Sequence, residues 1–112
     1  MVVSRVLAAA VVAAGLGVAA PASAAPGGCR VNVLCLYGTS GRVSQYSELT
    51  DYFQQLSRSD VTYAWNRTPG AVYFNYSTGV TSCMLGNREA SVQHAGYGTV
   101  TGVRLVAANR CY

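Results

Sequence analysis

Four cysteines, one histidine and four carboxylates are the residues of this chain best suited to chemistry, and the question is what company they keep. Cys29 and Cys35 enclose Arg30-Val31-Asn32-Val33-Leu34, while Cys83 and Cys111 stand far apart. Thiols can hold a soft metal, attack a substrate or close disulfides. A transition-metal site would need partners that His94 does not have, since no carboxylate cluster lies near it. A Ser-His-Asp triad can be assembled on paper from His94, Asp51 or Asp60 and a serine, but no nucleophile elbow or other local motif accompanies it. Glu48 and Asp51 lie three positions apart, whereas paired glycosidase carboxylates ordinarily come from distant segments. The residues therefore predict no catalytic site, no metal and no cofactor. The chain does not read as an enzyme.

The cysteines make more sense in an oxidising compartment. Residues 1–24 have a single charge at Arg5, an apolar block from Val6 to Ala20 and small residues at Ala22 and Ala24. That pattern describes a secretory signal peptide. Its apolar block is shorter than the ~18–20 residues of a membrane-spanning helix, so no membrane association is expected after cleavage. Residues 25–112 then form one small secreted domain. An even number of cysteines in such a domain reads as disulfides, typically worth about 2–4 kcal/mol each. The basic residues are all arginine, and Arg30, Arg42, Arg58, Arg67, Arg88, Arg104 and Arg110 are scattered. Nucleic acid is not an expected partner, because it would favour a clustered basic stripe.

Short β-prone runs must position these groups. Leu34–Tyr37, Val61–Asn66, Ala71–Tyr76 and Val100–Val106 are rich in valine, threonine and aromatic residues, separated by glycine turns such as Gly38-Thr39-Ser40-Gly41 and Ser77-Thr78-Gly79. Short strands at this spacing predict an all-β sandwich or barrel. One segment departs from that pattern. Ser47 is a fitting N-cap, and Leu49, Tyr52, Phe53 and Leu56 have helical spacing, so a short helix is expected over 48–56. A 38-residue shift places Leu36 over Phe74, Gly41 over Gly79, and Asp60-Val61-Thr62-Tyr63 over Gly98-Thr99-Val100-Thr101. This weak repeat implies two β units that bury their apolar faces together.

Geometry leaves the disulfide pairing open. An extended chain would hold residues 29 and 35 about 20 Å apart, while a disulfide needs Cα atoms about 4.4–6.8 Å apart. If the two pair, Arg30–Leu34 must fold back as a hook, with Asn32 as a turn residue. The alternative continues the alternation Val31, Val33, Cys35, Tyr37 as strand and pairs Cys29 elsewhere. Three connectivities fit four cysteines.

The order of these features resembles peptidase inhibitor family I36, secreted bacterial proteins related to the βγ-crystallins that include metalloproteinase inhibitors of Streptomyces. The resemblance rests on the C-x5-C hook after the leader, Leu36-Tyr37 and its glycine turn, and Phe53. It continues through Asp60-Val61-Thr62-Tyr63-Ala64-Trp65-Asn66-Arg67-Thr68, Ala71-Val72-Tyr73-Phe74, Gly79, and Thr101-Gly102-Val103-Arg104 before Cys111. It covers nearly all of residues 29–111. It implies a βγ-crystallin-like sandwich of two Greek-key units, with Cys29 paired to Cys35 and Cys83 to Cys111. It also implies a monomeric inhibitor whose rigid loop occludes the cleft of an extracellular protease, with a metalloprotease in view.

Two departures qualify the expectation. Calcium-binding relatives carry paired acidic or amide residues in each unit, but Asp60 is the only carboxylate in the windows Ser59–Ala64 and Tyr97–Gly102. Calcium prefers several carboxylates among its ~6–8 oxygen ligands, so no calcium site is expected. The family's second short disulfide is also absent. Cys83, Met84 and Leu85 resemble the start of the inhibitory loop, with Cys83–Cys111 as its brace. The alternative places Met84 and Leu85 in the core. The eight tyrosines and Trp65 suit either cross-strand pairs and core or rings stacked on sugars, and the second function is a carbohydrate or cell-wall glycan binding module, or a killer-toxin-like protein on the same scaffold. Trp65 itself is expected to anchor the core. Asn66-Arg67-Thr68 and Asn75-Tyr76-Ser77 match the glycosylation pattern, with turn chemistry as their alternative role.

Overall fold

A computed structural model of the chain describes residues 28–39, 41 and 43–112; the leader lies outside them. The described residues are all-β. Eight strands follow in order: β1 (Leu34–Gly38), β2 (Val43–Tyr46), β3 (Gln54–Gln55), β4 (Val61–Asn66), β5 (Val72–Tyr76), β6 (Thr81–Met84), β7 (Arg88–Ser91) and β8 (Val100–Leu105). They form two antiparallel four-stranded sheets, ordered β2-β1-β4-β7 and β3-β8-β5-β6.

The two sheets are related by exchange. Advancing each strand of the first sheet by four positions, cyclically, reproduces the second. β3 therefore leaves the first unit for the second sheet, and β7 makes the reciprocal move. The registers agree in detail: β1 pairs with β4 from Leu34↔Asn66 to Gly38↔Val61 with a bulge after Tyr37. β5 pairs with β8 from Val72↔Leu105 to Tyr76↔Val100 with a bulge after Asn75. The opening strands correspond at the expected shift of 38, and Gly41 and Gly79 both have positive φ, at 80° and 89°. The closing strands correspond one residue later, so Val61 matches Val100 rather than Thr99. The stretch from β6 to β7 is two residues shorter than its counterpart and the connection before β8 three longer, a net gain of one.

Alternation along these strands separates two apolar layers. Leu34, Leu36, Val61, Ala64, Val72, Phe74, Tyr76, Val92, Val100, Val103 and Leu105 make the buried interior. Cys29, Val33, Cys35 and Tyr37 form a smaller cluster on the outer face of the first sheet. Trp65 belongs beside this outer cluster and is not an anchor of the interior. Its position on β4 explains the difference: Ala64 and Asn66 are fully buried while Trp65 between them is half-buried. Its ring lies against the outer cluster, with the Arg67 guanidinium 5.2 Å from the ring centroid.

The expected helix over 48–56 does not form. This segment instead runs along the edge of β8, where Thr50 N donates to Leu105 O and Leu56 N to Thr101 O, and β3 pairs with Val103 and Gly102. Leu56 packs on the interior, but Leu49 and Tyr52 are 58% and 59% exposed. Their helical spacing thus has no apolar surface to meet. Pairing with an open sheet edge satisfies the backbone groups without it.

Disulfides join Cys29 to Cys35 and Cys83 to Cys111, and no described cysteine is free. The first closes a hook in which Asn32 adopts φ 67°. Strand structure starts at Leu34, immediately beyond it.

Candidate functional site

The β6–β7 turn has an unusual number of tethers. It joins an edge strand of one sheet to an edge strand of the other. Cys83 is tied covalently to Cys111. The Leu85 carbonyl accepts a hydrogen bond from Asn66 Nδ2 at 3.2 Å, and Gly86 N donates to Asn109 Oδ1 at 2.7 Å. A β-carbon at Gly86 would stand 2.7 Å from the carbonyl oxygens of both Thr68 and Pro69, so only glycine permits this close approach. Asn87 follows with φ 58°, a left-handed conformation that asparagine tolerates better than most residues.

Asn66 is the hub behind the turn. It is fully buried, and its Nδ2 also donates to Gly70 O at 2.9 Å. Its Oδ1 accepts from Thr68 N at 3.0 Å and from Thr68 Oγ1 at 2.6 Å. The side chain thus meets both donor and acceptor needs inside the protein. Its glycosylation-like sequence marks a buried turn.

Met84 packs against the interior, Leu85 is half-buried, and Asn87 and Arg88 are exposed at the tip. Behind the tip lies a groove of about 390 Å³, lined in part by Phe74, Met84, Val92, Arg88 and His94. The internal repeat supplies a reason for it. Where the first unit places Tyr46 and Leu56 against the interior, the second places Met84 and Val92 in the corresponding register. Both replacements remove side-chain bulk between the sheet edges.

Elsewhere the chemistry-bearing residues are dispersed. His94 is exposed beside Tyr97, with ring centroids 5.0 Å apart, and packs near Tyr76. Glu48 and Asp51 are exposed on the β2–β3 connection. Asp60 forms two bonds to Arg58, 2.6 Å from Oδ1 to Nε and 2.9 Å from Oδ2 to Nη2. Among the described residues, no group of three histidine, cysteine or acidic side chains is placed to hold a metal. The second calcium-like window contains hydroxyl-to-backbone bonds, including Thr78 Oγ1 to Tyr97 O at 2.7 Å.

The Arg58–Asp60 pair also has a structural counterpart. Gly38 corresponds to Tyr76, and a side chain at Gly38 would collide with the Arg58 guanidinium and the Asp60 carboxylate. In the second unit that space is served by the Tyr76 phenol, whose hydroxyl donates to Val92 O at 2.8 Å. An ion pair and a tyrosine thus perform the same filling task in the two halves.

Sequence reasoning placed Cys83, Met84 and Leu85 at the start of the turn but missed Asn109 and the central role of Asn66. The Asn-x-Thr-Pro-Gly sequence was the available signal for Asn66. Asn109 had none, because its contact with Gly86 spans separate segments.

No protein-family model, curated protein or solved structure matches the chain.

Proposed function

We propose that this is a secreted, monomeric protease inhibitor built on a crystallin-type pair of Greek keys, with residues 83–88 as its inhibitory element. The exchanged strands, matched bulges and repeated registers support the crystallin-type reading. The disulfides suit an oxidising compartment, and no helix among the described residues is long and apolar enough to cross a membrane. The observation carrying the function is the exposed Asn87-Arg88 tip, braced by Cys83, the Leu85 carbonyl and Gly86 N. A turn already ordered before contact loses less conformational entropy on binding. It would occlude a protease cleft without supplying a reacting group, and any catalytic metal would belong to the target.

The test is titration of the purified protein against thermolysin-like and subtilisin-like proteases. Inhibition at micromolar concentration, weakened by Asn66→Ala in a folded variant, is the expected result. Absence of inhibition for both classes would overturn the proposal. A second reading, glycan binding, draws on Trp65 and Tyr63 along the outer face, where Tyr63 donates to Glu89 at 2.8 Å. Aromatic faces and carboxylates are common components of sugar sites. A glycan array distinguishes this reading, with Trp65→Ala expected to abolish capture if it holds.

A further inference from the structure

We infer that the β2–β3 connection is a separate docking surface for a cationic, apolar peptide segment of a partner protein. Glu48 and Asp51 are exposed and make no side-chain ion pair with any described residue, whereas Asp60 and Glu89 are engaged by Arg58 and Tyr63. Between and beside the unpaired carboxylates stand Leu49 and Tyr52, each more than half exposed. Apolar side chains displayed together on a soluble surface commonly mark an interaction site.

The shape is also suited to an extended chain. Leu49, Val106 and Ala107 line two depressions in common, of about 500 and 300 Å³. Pro69 adds apolar surface to the smaller depression, while Glu48 and Asp51 lie along the larger. The connection has internal support: Thr50 Oγ1 donates to Tyr52 O at 2.7 Å, Gln54 Nε2 to Glu48 O at 3.1 Å, and Thr50 N to Leu105 O at 3.3 Å. Its exposed side chains consequently project from a braced backbone.

Charge decides the occupant. Outside this connection the described side chains charged at neutral pH are six arginines against Asp60 and Glu89, so two carboxylates with no ion-pair partner among the described residues create a local reversal of charge. Arg or Lys side chains on the partner would meet Glu48 and Asp51, and an aliphatic residue between them would enter beside Leu49. Complementary charges favour orientation and encounter more than affinity alone. This surface does not depend on the protease-inhibitor reading, because neither the 83–88 turn nor a protease participates.

The direct experiment titrates an acetylated, amidated Arg-Leu-Arg-Leu-Arg peptide into isotopically labelled protein and follows the backbone amide spectrum at low salt. Shifts confined to residues 47–52, 68–70 and 105–107 are expected. A Glu48→Gln/Asp51→Asn variant should retain the folded spectrum and bind about tenfold more weakly, as should wild type at high salt. Leu49→Ser tests the apolar contribution in the same assay. No shifts at millimolar peptide, shifts at another surface, or equal binding of Glu-Leu-Glu-Leu-Glu would overturn the inference. Concentration-dependent slowing of diffusion without peptide, accompanied by the same amide shifts, would instead assign the surface to a second copy and also overturn it.

Discussion

Tyr63 illustrates how one side chain's surroundings become a property of the fold. Burial, followed by its hydrogen bond to the Glu89 carboxylate and by that carboxylate's charge, pushes its pKa up to about 12. Burial likewise raises the pKa values of Tyr37, Tyr46 and Tyr76. The neutral phenols are favoured in the folded state, so their contribution is complete below the ordinary tyrosine pKa of about 10. It declines as pH rises toward the folded values, with Tyr63 setting a window from about 10 to 12. Spectroscopic titration should show delayed tyrosinate formation in the native protein and coincident loss of stability across that window. Tyr63→Phe should remove part of the alkaline sensitivity; an unchanged alkaline stability profile would refute this assignment.

At the scale of elements, the four strands anticipated from sequence are β1, β4, β5 and β8, which occupy the centres of the sheets. The edge strands β2, β3, β6 and β7 were not anticipated. Central strands contain Leu36, Ala64, Phe74 and Val103, whose burial leaves a clear apolar record. Edge segments such as Gln54-Gln55 and Arg88-Glu89-Ala90-Ser91 are polar and gain order from a neighbour's hydrogen bonds. The turn's covalent brace was named through family resemblance, but its Asn66 and Asn109 contacts depend on tertiary placement. Hydrophobic identity alone likewise misplaced Trp65 because the alternation around Ala64 and Asn66 determines its face. Phe74→Ala should therefore destabilise the domain by about 3–5 kcal/mol, while half-buried Trp65→Ala should have a smaller effect. Urea unfolding can rank the two; equal or reversed losses would require Trp65 to carry more of the fold than its location indicates.

At the scale of the whole molecule, the disulfides differ in both loop length and access. Cys29 and Cys35 are six positions apart and buried, whereas Cys83 and Cys111 are 28 apart with Cys111 exposed. Chain-entropy reasoning assigns the longer closure roughly 3.6 kcal/mol and the shorter roughly 2.2 kcal/mol. Access points to the longer one as the first to react, because thiol exchange requires approach to a disulfide sulfur. Its opening would release the terminal segment around Asn109 and remove one tether from the β6–β7 turn. Limited reduction followed by alkylation and mass spectrometry should therefore capture a species labelled at Cys83 and Cys111 but still joined between Cys29 and Cys35. Its unfolding free energy should be lower by roughly 3.6 kcal/mol, with the interior strands still folded. Initial labelling at Cys29 and Cys35, or undiminished stability after the longer closure is opened, would show that terminal access and chain entropy do not govern this protein's response to reductant.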